Sequence, residues 1–170
     1  MEENKKGGDK YPQKASIQNK NGKEKASMLM GIYENSIDAK NRVIVPAKFR
    51  EELGMRCVLT RGLDDCLILF PMSTWEEQQK ALAQLPRSDA KVRAFLRYTY
   101  ANAREVEVDK QGRILFPQDL REFARIEKDL VTIGMIDRVE IWAKDIYDNS
   151  ENGGKLSSED LEKFSEEYRV

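Results

Sequence analysis

Residues 37–51 read IDAKNRVIVPAKFRE and residues 108–122 read VDKQGRILFPQDLRE. Laid over each other at an offset of 71, they share Asp38/Asp109, Arg42/Arg113, Pro46/Pro117, Arg50/Arg121 and Glu51/Glu122, and five of the other ten positions are apolar in both. Five identities in fifteen positions compare with about one expected from ordinary residue frequencies. After one inserted residue the likeness resumes, with GLDDCLILF at 62–70 over GMIDRVEIW at 134–142. The chain therefore holds two copies of one small unit, and the fold has to be built from that repetition.

Each copy reads as strand, turn, strand, helix, strand, turn, strand. A strand at 32–37 or 105–108 leads into a polar turn, 38–41 or 109–112, in which Asn41 and Gly112 are the residue types that accept a positive φ. A β-rich run follows at 43–45 or 114–116. Proline then opens a short helix, 46–53 in the first copy, with Phe49 and Leu53 inward and Gly54 as its stop. Strands at 56–61 and 66–70, or 130–134 and 138–142, close the unit. About 45 residues bury too little apolar surface to stand alone, so the units are expected to pair within the chain, between chains, or both. Between the copies, Ser73 with Glu76 gives a capping-box pattern ahead of Trp75, Leu82 and Leu85. A second helix carries Val92, Phe95, Leu96, Thr99 and Tyr100 at helical spacing, a stripe expected to pack on the β units and between subunits.

Outward from this core, the 170 residues carry 29 Lys and Arg, 30 Asp and Glu, and no His. The missing imidazole excludes Ser-His-Asp and Cys-His catalysis, histidine-based metal sites and C2H2 zinc fingers. Cys57 and Cys66 are expected to be small apolar strand residues, and two thiols suit a reducing compartment. The near balance of charge hides an uneven distribution. Residues 1–27 hold seven Lys against four acids and residues 143–170 hold four bases against eight acids, which leaves 28–142 neutral. The first segment reads as a disordered arm. The last reads as a flexible acidic tail with a short helix bearing Leu161, Phe164 and Tyr168 on one face behind Ser157 and Ser158. No signal peptide or membrane span is evident, so a cytoplasmic location is expected.

MLMGIYENSIDAKNRVIVPAKFREELG, VLTRGLDDCLILFPMSTWE, DAKVRAFLRYTYANA and VDKQGRILFPQDLRE together resemble the bacterial MraZ proteins, part of the AbrB-type swapped-hairpin group. The likeness runs over about residues 28–147 in the family's order. Its hallmark, Asp-x-x-x-Arg in each repeat, stands here as Asp38 to Arg42 and Asp109 to Arg113. The first motif departs from the family in having Asn41 where Gly usually precedes the arginine, and the 27-residue arm precedes the family's usual start. The resemblance implies an α+β fold of two tandem AbrB-like swapped-hairpin β units forming a pseudo-two-fold β-barrel with linking helices. The expected segments are the arm (1–27), repeat 1 (32–74), linking helices (75–102), repeat 2 (103–146) and the tail (147–170). It also implies a transcriptional regulator of the cell-division and cell-wall gene cluster, associated with the nucleoid. Such a protein assembles into a ring-shaped homo-oligomer and binds double-stranded DNA at promoter repeats.

The residue chemistry fits that role. An Asp opening a turn accepts backbone N–H bonds two or three residues on, and an Arg leaving it can grip a phosphate or the O6/N7 edge of guanine with two bonds. Arg42 and Arg113 are thus the expected DNA contacts, with Lys40 and Lys110 as phosphate neighbours. Asp38, Asn41, Asp109 and Gly112 are expected to shape the turns. The blander reading makes Asp38–Arg42 and Asp109–Arg113 local surface pairs worth little. Arg50 and Glu51, repeated as Arg121 and Glu122 near the acidic companions Glu52 and Asp119, read as members of structural ion pairs, not DNA ligands. Two rivals remain: a ring-forming interaction scaffold without DNA binding, and a hydrolase in which the two aspartates share a proton, disfavoured by the lysines beside them. No catalytic, cofactor-binding or metal-ligating residue, small-molecule substrate or membrane partner is expected.

Overall fold

The computed structural model describes residues 29–151, 153–154 and 156–170. The expected arm over 1–27 lies outside them. The first repeat comprises β1 (Leu29–Ser36), β2 (Arg42–Ile44), α1 (Ala47–Leu53), β3 (Arg56–Arg61), β4 (Leu67–Pro71) and α2 (Met72–Ala83). After α3 (Ala90–Ala101) the second runs β5 (Arg104–Glu107), β6 (Arg113–Leu115), α4 (Gln118–Phe123), β7 (Asp129–Ile136), β8 (Val139–Ala143) and α5 (Lys144–Asn149). A last helix, α6, spans Ser158–Tyr168.

Six strands form an antiparallel sheet in the order β1-β7-β8-β4-β3-β5, and β2 pairs with β6 in a separate two-stranded ribbon. Exchanging the two repeats reproduces this order read from the other end. Each repeat's first strand leaves its own unit and lies on the other repeat's third strand, β1 on β7 and β5 on β3. The expected barrel is corrected here: the sheet is not closed, because β1 and β5 each hydrogen-bond one neighbour and remain edges. The ribbon lies over the sheet and shares its core, with Val43 and Ile114 turned inward beside Leu69, Phe116, Val139 and Ile141. Phe49 of α1 and Leu120 of α4 are fully buried from equivalent positions, and Tyr33 packs edge-on against Phe49 at 5.1 Å.

The strand pairing also revises the register of the repeat. The offset is 71 through the turn, ribbon and helix, 73 between β3 and β7, and 72 between β4 and β8. Gly62 and Gly134 are therefore not equivalent. Gly62 opens the β3–β4 turn, donating to the Cys66 carbonyl at 2.8 Å, whereas Gly134 lies within the ladder, opposite Gly31 and Val139. A Cβ on Gly134 would come within 2.4 Å of the Leu29 backbone, so β1 can lie this close only because the side chain is missing.

Two local expectations change. The N-cap of α2 is Pro71, with no side-chain cap, so the Ser73–Glu76 capping box does not form; proline's fixed φ starts the helix earlier. In α6 the box is real, with Ser157 accepting from the Asp160 N–H and Asp160 accepting from the Ser157 N–H. Cys57 and Cys66 are buried, and burial pushes their thiols up to about 11 and about 12, so both stay protonated and unreactive at neutral pH.

Candidate nucleic-acid interface

Each turn is organised by its aspartate. Asp38 Oδ1 accepts from the backbone N–H groups of Lys40 and Arg42, both at 2.9 Å, and Oδ2 accepts from Arg42 Nε at 2.8 Å. Asp109 repeats the set with Gln111, Arg113 and Arg113 Nε, all at 2.9 Å. The backbone closes each loop the same way, with Asn41 and Gly112 donating to the carbonyls of Asp38 and Asp109 at 2.9 Å. The residues expected to accept a positive φ do so, Asn41 at 61° and Gly112 at 78°. Hydrogen bonding from the Arg42 backbone N–H is the leading cause holding the Asp38 carboxyl below its ordinary value, and the Arg113 N–H does the same at Asp109. Both aspartates are ionised at neutral pH. A proton-sharing pair requires the opposite, one carboxyl strongly raised by its neighbour.

The ribbon joins the two turns. The Asn41 carbonyl accepts from Phe116 N–H at 2.9 Å and the Gly112 carbonyl from Val45 N–H at 2.8 Å, so each turn is stapled to the other repeat. Arg42 lies opposite Leu115, Val43 opposite Ile114, and Ile44 opposite Arg113. Side chains alternate along a strand, and paired residues share a face. Val43 and Ile114 are buried, so Arg42, Ile44, Arg113 and Leu115 occupy the outer face, the arginines on one diagonal and the apolar residues on the other. Lys40 and Lys110 are exposed in the turns at the two ends.

The Asp–Arg pairs foreseen by the blander reading do form, at 2.8 and 2.9 Å. They do not consume the arginines. The aspartate takes Nε–H only, and among the described residues no hydrogen bond engages the Arg42 Nη groups, while Arg113 Nη2 donates to Gln111 Oε1 at 3.2 Å. Holding a guanidinium by Nε orients its two Nη groups as a fork for an external acceptor. Arg50 and Arg121 act elsewhere, donating through Nε to the Val45 and Phe116 carbonyls and so fixing the ends of the ribbon.

The sequence reading passed over Ile44, Leu115 and Gln111. The signal for the first two was the two-residue alternation of Arg42-Val43-Ile44 and Arg113-Ile114-Leu115, which turns the third residue to the arginine's side. Among the described residues no three or more His, Cys, Asp or Glu side chains group as a metal site, and no helix is long and apolar enough to cross a membrane.

The family profile described as "MraZ protein, putative antitoxin-like" matches twice, over residues 28–98 and 99–166. The chain belongs to the MraZ family. The tandem matches coincide with the repetition, and the boundary between them falls within α3. Curated relatives named Transcriptional regulator MraZ include that of Thermoanaerobacter sp. (strain X514), 48% identical over 84% of this chain and 100% of the relative. That of Moorella thermoacetica is 50% identical over 69% of this chain and 82% of the relative. That of Clostridium tetani is 42% identical over 82% and 98%.

Proposed function

We propose that this MraZ family protein is a sequence-specific DNA-binding transcriptional regulator that grips promoter DNA with Arg42 and Arg113, flanked by Lys40 and Lys110 as phosphate contacts. The observation that carries the reading is the duplicated Asp–Arg turn at the two ends of one exposed ribbon. Orienting two guanidiniums in this way suits guanine edges or phosphates, and a two-stranded ribbon is narrow enough to enter a major groove. The relatives' name, Transcriptional regulator MraZ, supports the same role. The exchange of first strands between repeats supports the swapped-hairpin description, with Asp38, Asn41, Asp109 and Gly112 shaping the turns.

Affinity follows from assembly. Four cationic tips per chain correspond to a log-log salt slope of about −3.6 per engaged copy, and one copy of a neutral fold binds weakly. Joining copies in a ring raises the effective concentration at neighbouring repeats about one helical turn apart. Support for self-association comes from α3, which buries no residue and leaves Phe95, Tyr98 and Tyr100 exposed, and from the exposed Leu161, Phe164 and Tyr168 of α6. The regulated DNA is the repeat array upstream of the cell-division and cell-wall gene cluster, which places the protein on the nucleoid in the cytoplasm. A gel-shift titration on DNA upstream of the protein's own gene, with solution mass measured in parallel, tests this. Tandem repeats are expected to bind about 100-fold tighter than a single repeat; equal affinity would contradict multivalent recognition.

A further inference from the structure

The outer face of the ribbon exposes two large apolar side chains where a solvated strand would carry polar ones. Ile44 is 50% exposed and Leu115 61% exposed. They stand directly across from Arg113 and Arg42, on the face opposite the buried Val43 and Ile114. Cross-strand partners lie about 5 Å apart and positions i and i+2 about 7 Å apart. The four side chains therefore make a small rhombus with a cation at one pair of corners and a branched hydrocarbon at the other. The patch is too small for a protein interface of its own, which takes about 800 Å² per partner, and its flanking cations, with Lys40 and Lys110 at the ribbon ends, select a polyanion.

We infer that Ile44 and Leu115 read thymine: each packs on the C5-methyl of a thymine beside the base or phosphate gripped by the arginine across the ribbon. The inference rests on the DNA-binding reading and adds a specificity that arginine cannot supply. A guanidinium recognises hydrogen-bond acceptors, whereas the thymine methyl is the one apolar group on the major-groove edge of the bases. With arginine and hydrocarbon on opposite diagonals, each half of the ribbon couples one polar contact to one methyl contact. The pseudo-two-fold then demands the same coupling, inverted, at the next half-site.

Uracil differs from thymine in this methyl alone, so the test is the own-promoter fragment made with uracil in place of every thymine. Burying one methyl is worth about four-fold in affinity, and two about fifteen-fold. Wild-type protein is expected to bind the uracil fragment about fifteen-fold more weakly per engaged copy, with unchanged salt slope. Ile44→Ala/Leu115→Ala should bind both fragments equally, at the wild type's uracil affinity, with unaltered assembly mass and far-ultraviolet circular dichroism. Equal wild-type binding to both fragments would overturn the inference, as would a thymine preference retained by the variant, or a variant that changes the assembly mass. Failure of the DNA-binding reading looks different: wild type does not bind the thymine fragment, or Arg42→Ala/Arg113→Ala binds it undiminished, and the thymine inference falls with it.

Discussion

The two turns have the same hydrogen bonds and different residues. Asp38 and Asp109 each hold two backbone N–H groups and one Nε, with lengths agreeing within 0.1 Å, yet Lys40-Asn41 in one turn corresponds to Gln111-Gly112 in the other. What both copies retain is an aspartate, a positive φ and an arginine. What differs is how the arginine is left. Arg113 shares an Nη group with Gln111, and Gly112 leaves room for Arg50, whose Cζ lies 2.2 Å from where a Cβ would stand. In the first turn Lys40 occupies the place of Gln111 while Ala39 stands where the second has Lys110, so each turn carries one lysine. The two turns therefore carry equal charge, and the first offers the freer arginine.

The largest expected effect of that difference is on DNA affinity. Arg42→Ala should weaken binding to the protein's upstream DNA by about 10- to 100-fold, the range of a good bidentate contact. Arg113→Ala should cost several-fold less, because its fork must first leave Gln111; fluorescence anisotropy on one fragment ranks the two, and equal losses would break the asymmetry. Next comes an attempt to make the second turn like the first. Gly112→Asn should destabilise by about 2 kcal/mol, combining left-handed strain with displacement of Arg50 from the Val45 carbonyl, whereas Asn41→Gly should move stability by under about 1 kcal/mol. Chemical denaturation of both variants decides.

The repeats differ again at their second hairpins. The first uses a loop closed by Gly62 and Cys66, the second a tight turn closed by Met135 N–H on the Arg138 carbonyl at 2.8 Å, with Ile136 at φ 70°. A β-branched residue is strained there. Ile136→Gly should stabilise by about 0.5 to 1 kcal/mol, raising Tm by about 2 °C; a fall would mean that the exposed Ile136 side chain contributes more than its backbone costs.

The smallest effect is with pH. Both turn aspartates titrate below their ordinary value of 3.8 when folded. Their ionised forms thus contribute stability that is fully present above that value and is lost as pH falls through the lower, folded values. Asp38→Asn/Asp109→Asn should therefore lose stability less steeply than wild type below about pH 4, with both insensitive to these groups near neutrality. Identical acid limbs would show that the aspartates do no more than fill the turns.

The turns themselves were legible because aspartate, a residue tolerant of positive φ, and arginine are short-range signals. Pro46 and Pro117 marked α1 and α4 for the same reason, standing just before them as N-caps. The pairing across repeats was not legible: β1 on β7 and β5 on β3 join strands about 100 and 50 residues apart, and no local pattern encodes that choice. The slips of register in the repeat were hidden because Cys57-Val58-Leu59 and Leu130-Val131 are buried on both faces, so they show no alternation from which a register can be read. The short helix α5, equivalent in place to α2, was missed because its six residues carry no cap or full apolar face. At the proposed site, the arginines were singled out by chemistry and repetition. Ile44 and Leu115 were taken for ordinary β-formers, since exposure of an apolar strand residue is a tertiary fact.

DNA binding by this protein is proposed to rest on the two oriented arginines of the shared ribbon. The direct measurement is the affinity of Arg42→Ala/Arg113→Ala for DNA upstream of the protein's own gene, with Asp38 and Asp109 retained and assembly mass checked in solution. The expected outcome is an assembly of unchanged mass whose affinity falls by more than about 100-fold, with a shallower salt slope; an intact assembly that binds this DNA as tightly as wild type would rule out the two arginines as the DNA grip.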